Sequence, residues 1–124
     1  MPDAFEHSSR RMREHLAPIV ARVTARHGDE PIALREPPAP MAVWFTVHDA
    51  DGSPLVLVSA HAGAVNFLLG KRGFLHFRDT ASIPPEGLGA WFEETLDAAL
   101  SGGLRIHGDR ATLQTRSGPV PLTQ

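Results

Sequence analysis

The stretch NFLLGKRGFLHF, Asn66–Phe77, decides the fold. It sets two apolar runs around Gly70-Lys71-Arg72-Gly73 and admits two readings: a phosphate loop opening a helix, or a tight turn between two strands. A phosphate loop needs a glycine five positions before the glycine that precedes its lysine, and a hydroxyl residue directly after the lysine. Val65 and Arg72 stand at those positions. The FLHF that follows is strand-like, so there is no helix N-terminus to receive the phosphate. The segment is expected to be a β-hairpin with Lys71 and Arg72 as two cations at its tip.

Immediately upstream lies MAVWFTVHDADGSPLVLVSAHAG, Met41–Gly63. Its β-branched and aromatic runs flank Asp49-Ala50-Asp51-Gly52-Ser53-Pro54, a cluster with turn chemistry, which predicts a second hairpin. If Asp49 faces Leu55, His48 stands opposite Val56 and His61 opposite Val43. Alternation then puts Trp44 on the face opposite Val43, Phe45 and Val47. Farther upstream, PIALRE (31–36) predicts a short strand and PPAP (37–40) an extended crossing. From Asp3 to about His27, Phe5, Met12, Leu16, Ile19, Val20 and Val23 recur at helical steps, which predicts an amphipathic helix ending near Gly28. Asp3 is its candidate cap, and Pro18 predicts a kink or break near Leu16.

Downstream, SIPPEGLGAWFEETLDAAL (82–100) predicts a second helix, capped near Ser82 with prolines in its first turn. Leu88, Trp91, Phe92, Leu96, Ala99 and Leu100 form its apolar stripe, and Gly102-Gly103 end it. LRIH and RATLQT around Gly108-Asp109 predict a last hairpin with a two-residue loop. The expected order is α-β-β-β-β-β-α-β-β in a single domain, 1–124. That order makes an α+β fold with an antiparallel sheet of about five to seven strands and both helices packed on one face. Several strands look apolar on both sides, so the second face is either covered or a binding or dimer surface.

Composition bounds the function. The 124 residues carry 42% apolar and 21% charged side chains with a formal net charge of −2, which gives no global pull toward nucleic acid or anionic membranes. Cysteine is absent, removing disulfides, zinc–thiolate sites and cysteine nucleophiles together, and this points to the cytoplasm. The first residues hold no apolar h-region, so no signal peptide is expected, and no apolar run approaches the roughly 18 residues of a membrane helix. Arginine supplies nearly all the basic charge, with Lys71 the only lysine, a bias that suits a bacterial GC-rich genome.

Each catalytic constellation fails on spacing. Counted from Asp49, a calcium loop would need glycine where Pro54 stands and glutamate where Ala60 stands. His48 and His61 are separated along their hairpin by about five residues, roughly 17 Å, too far to share a metal. His7 and His15 miss the i, i+4 spacing, and nothing in the sequence says whether His76 and His107 meet. Ser59 and His61 lack a nucleophile elbow and an orienting acid. Neither a catalytic residue, a metal site nor a cofactor is expected.

Charge is divided between the helices. Glu86, Glu93, Glu94 and Asp97 give the second helix an acidic face, suited to a basic partner, while Arg10, Arg11, Arg13, Arg22 and Arg26 make the first helix basic. The two helices lying side by side would partly neutralise each other. The basic stripe has no stacking aromatics beside it, so nucleic acid is not the expected partner. The order of helix, strands, helix and strand pair is similar to that of small α+β chaperone-like domains that bind secreted effectors. It is also similar to that of small immunity proteins that block a toxin. The failed catalytic constellations, a sheet apolar on both faces and the acidic helix point to a non-catalytic module that binds a partner protein, with a homodimer as a further expectation. Trp44 is the expected anchor, Glu93, Glu94 and Asp97 the rim, and Lys71 and Arg72 a basic tip. The alternative is a small enzyme or small-ligand binder using His48, His61 or His76 in a pocket between sheet and helices.

Overall fold

The central hairpin forms as its glycines require. In the computed structural model, β3 (Ala64–Leu69) pairs antiparallel with β4 (Phe74–Asp79), from Ala64↔Asp79 to Leu69↔Phe74. Gly70 and Gly73 hold φ of 71° and 68°, a left-handed conformation that a Cβ would strain, and Gly73 N–H donates to the Gly70 carbonyl at 3.2 Å. The structure describes residues 4–27, 44–48, 54–61, 63–70, 72–79 and 87–123. The PIALRE strand, the PPAP crossing, the Asp3 and Ser82 caps, the Gly28 stop, the Asp49–Ser53 turn and Lys71 lie outside them.

β1 (Phe45–His48) and β2 (Pro54–His61) make the preceding hairpin, and β2 also pairs with β3. Its register differs by one residue from the expected one: Val47 faces Val56, and a bulge between Val47 and His48 sets His48 opposite Pro54. The bulge takes up one residue next to the turn, which spacing alone does not reveal. β1-β2-β3-β4 is thus a four-stranded antiparallel sheet in chain order.

α1 (Ala4–Arg26) runs unbroken through Pro18, contrary to the expected break. Pro18 is exposed, and Leu16, Ile19, Val20 and Val23 around it are buried, so packing of that face offsets the lost backbone bond. α2 (Leu88–Leu100) starts later than expected, after Gly87 and without a side-chain cap. It stops where expected: Gly102 turns left-handed at φ 75° and Gly103 N–H returns to the Ala98 carbonyl at 2.9 Å. A Cβ on Gly103 would lie 2.8 Å from the carbonyl oxygens of both Ala98 and Gln114, so only glycine lets the chain pass between helix and strand.

β5 (Leu104–His107) and β6 (Arg110–Thr115) pair around Gly108-Asp109 as expected. A third strand, β7 (Gly118–Leu122), was not foreseen. Its prolines argue against a strand in sequence, yet they sit where no donor is needed. Leu122, Val120 and Gly118 face Ala111, Leu113 and Thr115, whose backbone groups turn toward β7, because Gln114 N–H is given to Gly103 on the β5 side. Pro119 and Pro121 therefore turn their nitrogens to the opposite edge. β4 lies along that edge, and only Thr123 pairs with it, exchanging bonds of 2.6 and 3.0 Å with Leu75. The prolines thus explain why the strands form two sheets, of four and three strands, rather than one.

Both helices and both sheets contribute to the same core cluster. Val56, Val58, Phe67, Leu69 and Phe74 of the larger sheet are buried with Leu16 and Val20 of α1, Phe92 and Leu96 of α2, and Leu113 of β6. The architecture is α+β, with α1 against α2 and β2, and α2 reaching β6. Among the described residues no helix is long and apolar enough to cross a membrane.

Candidate functional site

Alternation in β2 buries Val56, Val58 and Ala60 on the helix side and turns Leu55, Leu57 and Ser59 to the outer face. The registers carry that face across the sheet. Thr46, Leu57, Leu68 and Leu75 form one row of directly opposed, half-buried residues, and Ser59, Asn66 and Phe77 form the next. Phe77 is 56% exposed, and with Ile106 it is one of two large apolar side chains lying open among the described residues. The outer face therefore offers an aliphatic row ending beside an open aromatic ring, with Ser59 and Asn66 as hydrogen-bonding groups next to it.

Trp44 does not belong to that face. It lies just before β1, where strict alternation does not hold, and is 4% exposed. Its ring packs on Phe45 at 5.1 Å and Phe92 of α2 at 6.3 Å between centroids, so it is a core residue and not a surface anchor. The exposed aromatic of this sheet is Phe77 instead. The alternation of Phe74 and His76 against Leu75 and Phe77 was the signal that could have found it.

The acidic face of α2 meets the basic face of α1. Glu93 binds Arg22 and Arg26, the latter at 3.2 Å; Asp97 binds Arg26 at 3.3 Å and His27 at 2.8 Å. The Arg22 and Arg26 guanidiniums hold the Glu93 carboxyl below its ordinary range. Glu94 takes a bond from the backbone N–H of Ser117 and is lowered chiefly by hydrogen bonding to Ser117. Arg13 is buried and donates to the Ala60 carbonyl of β2 at 3.0 Å. Much of the charge that looked available to partners thus joins one element to another. A cleft of about 350 Å³ runs between α2 and the smaller sheet, lined by Arg26, Glu93, Glu94, Asp97, Gln114 and Arg116.

Arg72 at the β3–β4 tip donates to the Gly108 carbonyl of the β5–β6 turn at 2.8 Å, and its guanidinium lies 4.8 Å from the Phe74 ring centre. The tip is therefore fastened to the neighbouring hairpin. His76 is 9% exposed on the inner face, within 6.3 Å of the Phe67 ring centre and 5.9 Å of that of Trp91. Burial, and then the nearby Arg78, push its imidazole below the ordinary value. His48 and His107 are exposed on different strands, and among the described residues no three His, Cys, Asp or Glu side chains gather to hold a metal.

No family model, curated protein or solved structure matches this chain. Its functional reading comes from its own surface.

Proposed function

We propose that the chain is a non-catalytic module that binds another protein through the outer face of its larger sheet. The observation that supports this is the in-register row of Leu57, Leu68 and Leu75 beside Phe77, whose ring is 56% exposed. Apolar surface of this kind is what a partner's side chains desolvate, and a large exposed aromatic is a common energetic centre of such contacts. Immunity-like or chaperone-like action on a toxin or effector is the form of binding that the element order favours. The cysteine-free, arginine-rich composition supports a bacterial cytoplasmic setting.

Capture from the native host by the tagged chain, compared with Phe77→Glu, tests the reading. A protein retained by the wild type and lost with the variant, while circular dichroism and melting temperature stay unchanged, is the expected result. An identical captured set for both would refute the role of this face. A second reading has one observation in its favour: the His76 Nε2 is buried with no hydrogen-bond partner. A small ligand accepting or donating at that nitrogen would raise the melting temperature of the wild type and leave His76→Leu unmoved.

A further inference from the structure

β5 is an edge strand, since the smaller sheet runs β5-β6-β7 and no described strand lies beyond it. The phase of its hydrogen bonds can be fixed from both ends. The two-residue loop makes His107 and Arg110 a bonded pair, and Gln114 N–H reaches the Gly103 carbonyl at 2.8 Å. Arg105 and His107 therefore turn their backbone groups to β6, while Leu104 and Ile106 turn theirs outward. The Leu104 carbonyl is taken by the guanidinium of its neighbour Arg105 at 3.2 Å, which also holds the Gly102 carbonyl. Ile106 is left with an outward-facing backbone donor and acceptor and a side chain 48% exposed.

Arginine charge surrounds that residue. Arg105 and Arg110 are both exposed, and Arg72 is tied to the same turn at Gly108. Asp109 is the one acidic residue between Leu104 and Thr115. We propose that the β5 edge takes up an extended acidic segment of another protein as an added strand. Main-chain bonds to Ile106 supply the ladder, the Ile106 side chain an apolar contact, and the arginines the choice of an acidic sequence. The proposal rests on the protein-binding reading and adds a second site with its own partner chemistry.

Charge decides between the occupants of this edge. A second copy pairing through β5 sets Arg105 opposite Arg105 in one register, where like charges directly opposed weaken a strand pair, and opposite His107 in the other; in neither does β5 offer an acidic side chain to the arginine. Nucleic acid would find the cations, but it offers no peptide ladder for Ile106, and β5 has no Phe, Tyr or Trp on which bases stack. An acidic peptide satisfies the backbone, the isoleucine and the charges together.

The test uses the full chain and a labelled short peptide alternating glutamate with valine. Its companions are the same peptide with lysine for glutamate, a proline-interrupted acidic version and a single-stranded oligonucleotide. The acidic peptide is expected to bind about tenfold or more tightly than the lysine peptide, with affinity falling as salt rises. Hydrogen exchange of the Ile106 amide is expected to slow on binding. Ile106→Pro removes the outward donor without touching a bond to β6, and is expected to abolish binding with the fold intact. Should that variant misfold, the double variant Arg105→Glu with Arg110→Glu is expected to reverse the preference toward the lysine peptide. Equal binding of the two peptides, binding of neither, preference for the oligonucleotide, or acidic binding that survives the double charge reversal would each overturn the proposal. Phe77→Glu separates the two readings. Loss of a captured protein with peptide binding intact supports both sites. Peptide binding alone, with no Phe77-dependent partner, removes the sheet-face reading and leaves the edge standing.

Discussion

The two sheets are built from similar hairpins and reach opposite states of finish. The four-stranded sheet buries a whole face beneath the helices, with Val56, Val58, Val65, Phe67 and Phe74 all at 0% exposure. The three-stranded sheet buries only Ala111, Leu113 and Leu122, and three of the four residues of β5 are exposed. The difference lies in what covers them. α1 and α2 both lie on the larger sheet, whereas the smaller one is met chiefly by α2, through β6. Stability is concentrated in one sheet, and the backbone edge most available for added contacts lies in the other.

The sharpest way to break that contrast is to hollow the larger sheet. Phe67→Ala removes a buried ring that packs on Trp91 and Phe92, and is expected to cost about 3–5 kcal/mol in urea unfolding. Ile106→Ala on β5 is expected to stay within about 0.5 kcal/mol. Equal losses would mean the two sheets share the load. The joint between α2 and the smaller sheet is next. Gly103→Ala forces a methyl against two backbone carbonyls and is expected to cost about 1–3 kcal/mol, loosening the β5–β6 amides in hydrogen exchange more than those of β2 and β3.

Acid reports on the two regions in different windows. His76 has a folded pKa below its ordinary 6.5, so the unfolded chain takes up a proton first. Its neutral burial is at no disadvantage above pH 6.5 and destabilises progressively as pH falls below it. Arg78 adds to the effect, by repelling the charged imidazole. His76→Leu is expected to flatten the stability curve below pH 6.5. Glu94, bonded to Ser117 in the β6–β7 turn, is lowered from 4.5, so its contribution is present above that value and is lost as pH falls through the folded pKa. Glu94→Gln is expected to change the curve only below pH 4.5. A single shared window, removed by either variant, would count against separate regions. The smallest expected effect is that of Pro121→Val, which restores a donor facing β4 near Phe77. Stability should move by less than about 1 kcal/mol, while the new amide at 121 becomes protected from exchange.

The sequence told most where glycine dictated a turn. Gly70–Gly73 and Gly108-Asp109 placed two hairpins, and the helical stripes placed α1 and α2. It told least where a tertiary neighbour decides. β7 went unassigned in the sequence: Pro119 and Pro121 are tolerated there only because their missing donors face away from β6, and that is known only once β6 is in place. The one-residue register error in the first hairpin came from a bulge, and Trp44 was misplaced because alternation was extended beyond the end of β1. The partial neutralisation of the helices was legible as opposite charge, yet the pairing of Glu93 with both Arg22 and Arg26 needed the packing of α1 on α2.

The join at Thr123 has a mechanical consequence. A pair of strands held by many rungs shears as a unit, but β4 and β7 are held by one pair of bonds. Backbone load between the two sheets therefore falls on Leu75 and Thr123, and what holds the sheets together should that single rung part is the Arg72–Gly108 bond and the shared core, which takes in Leu113 and Leu122 of the smaller sheet.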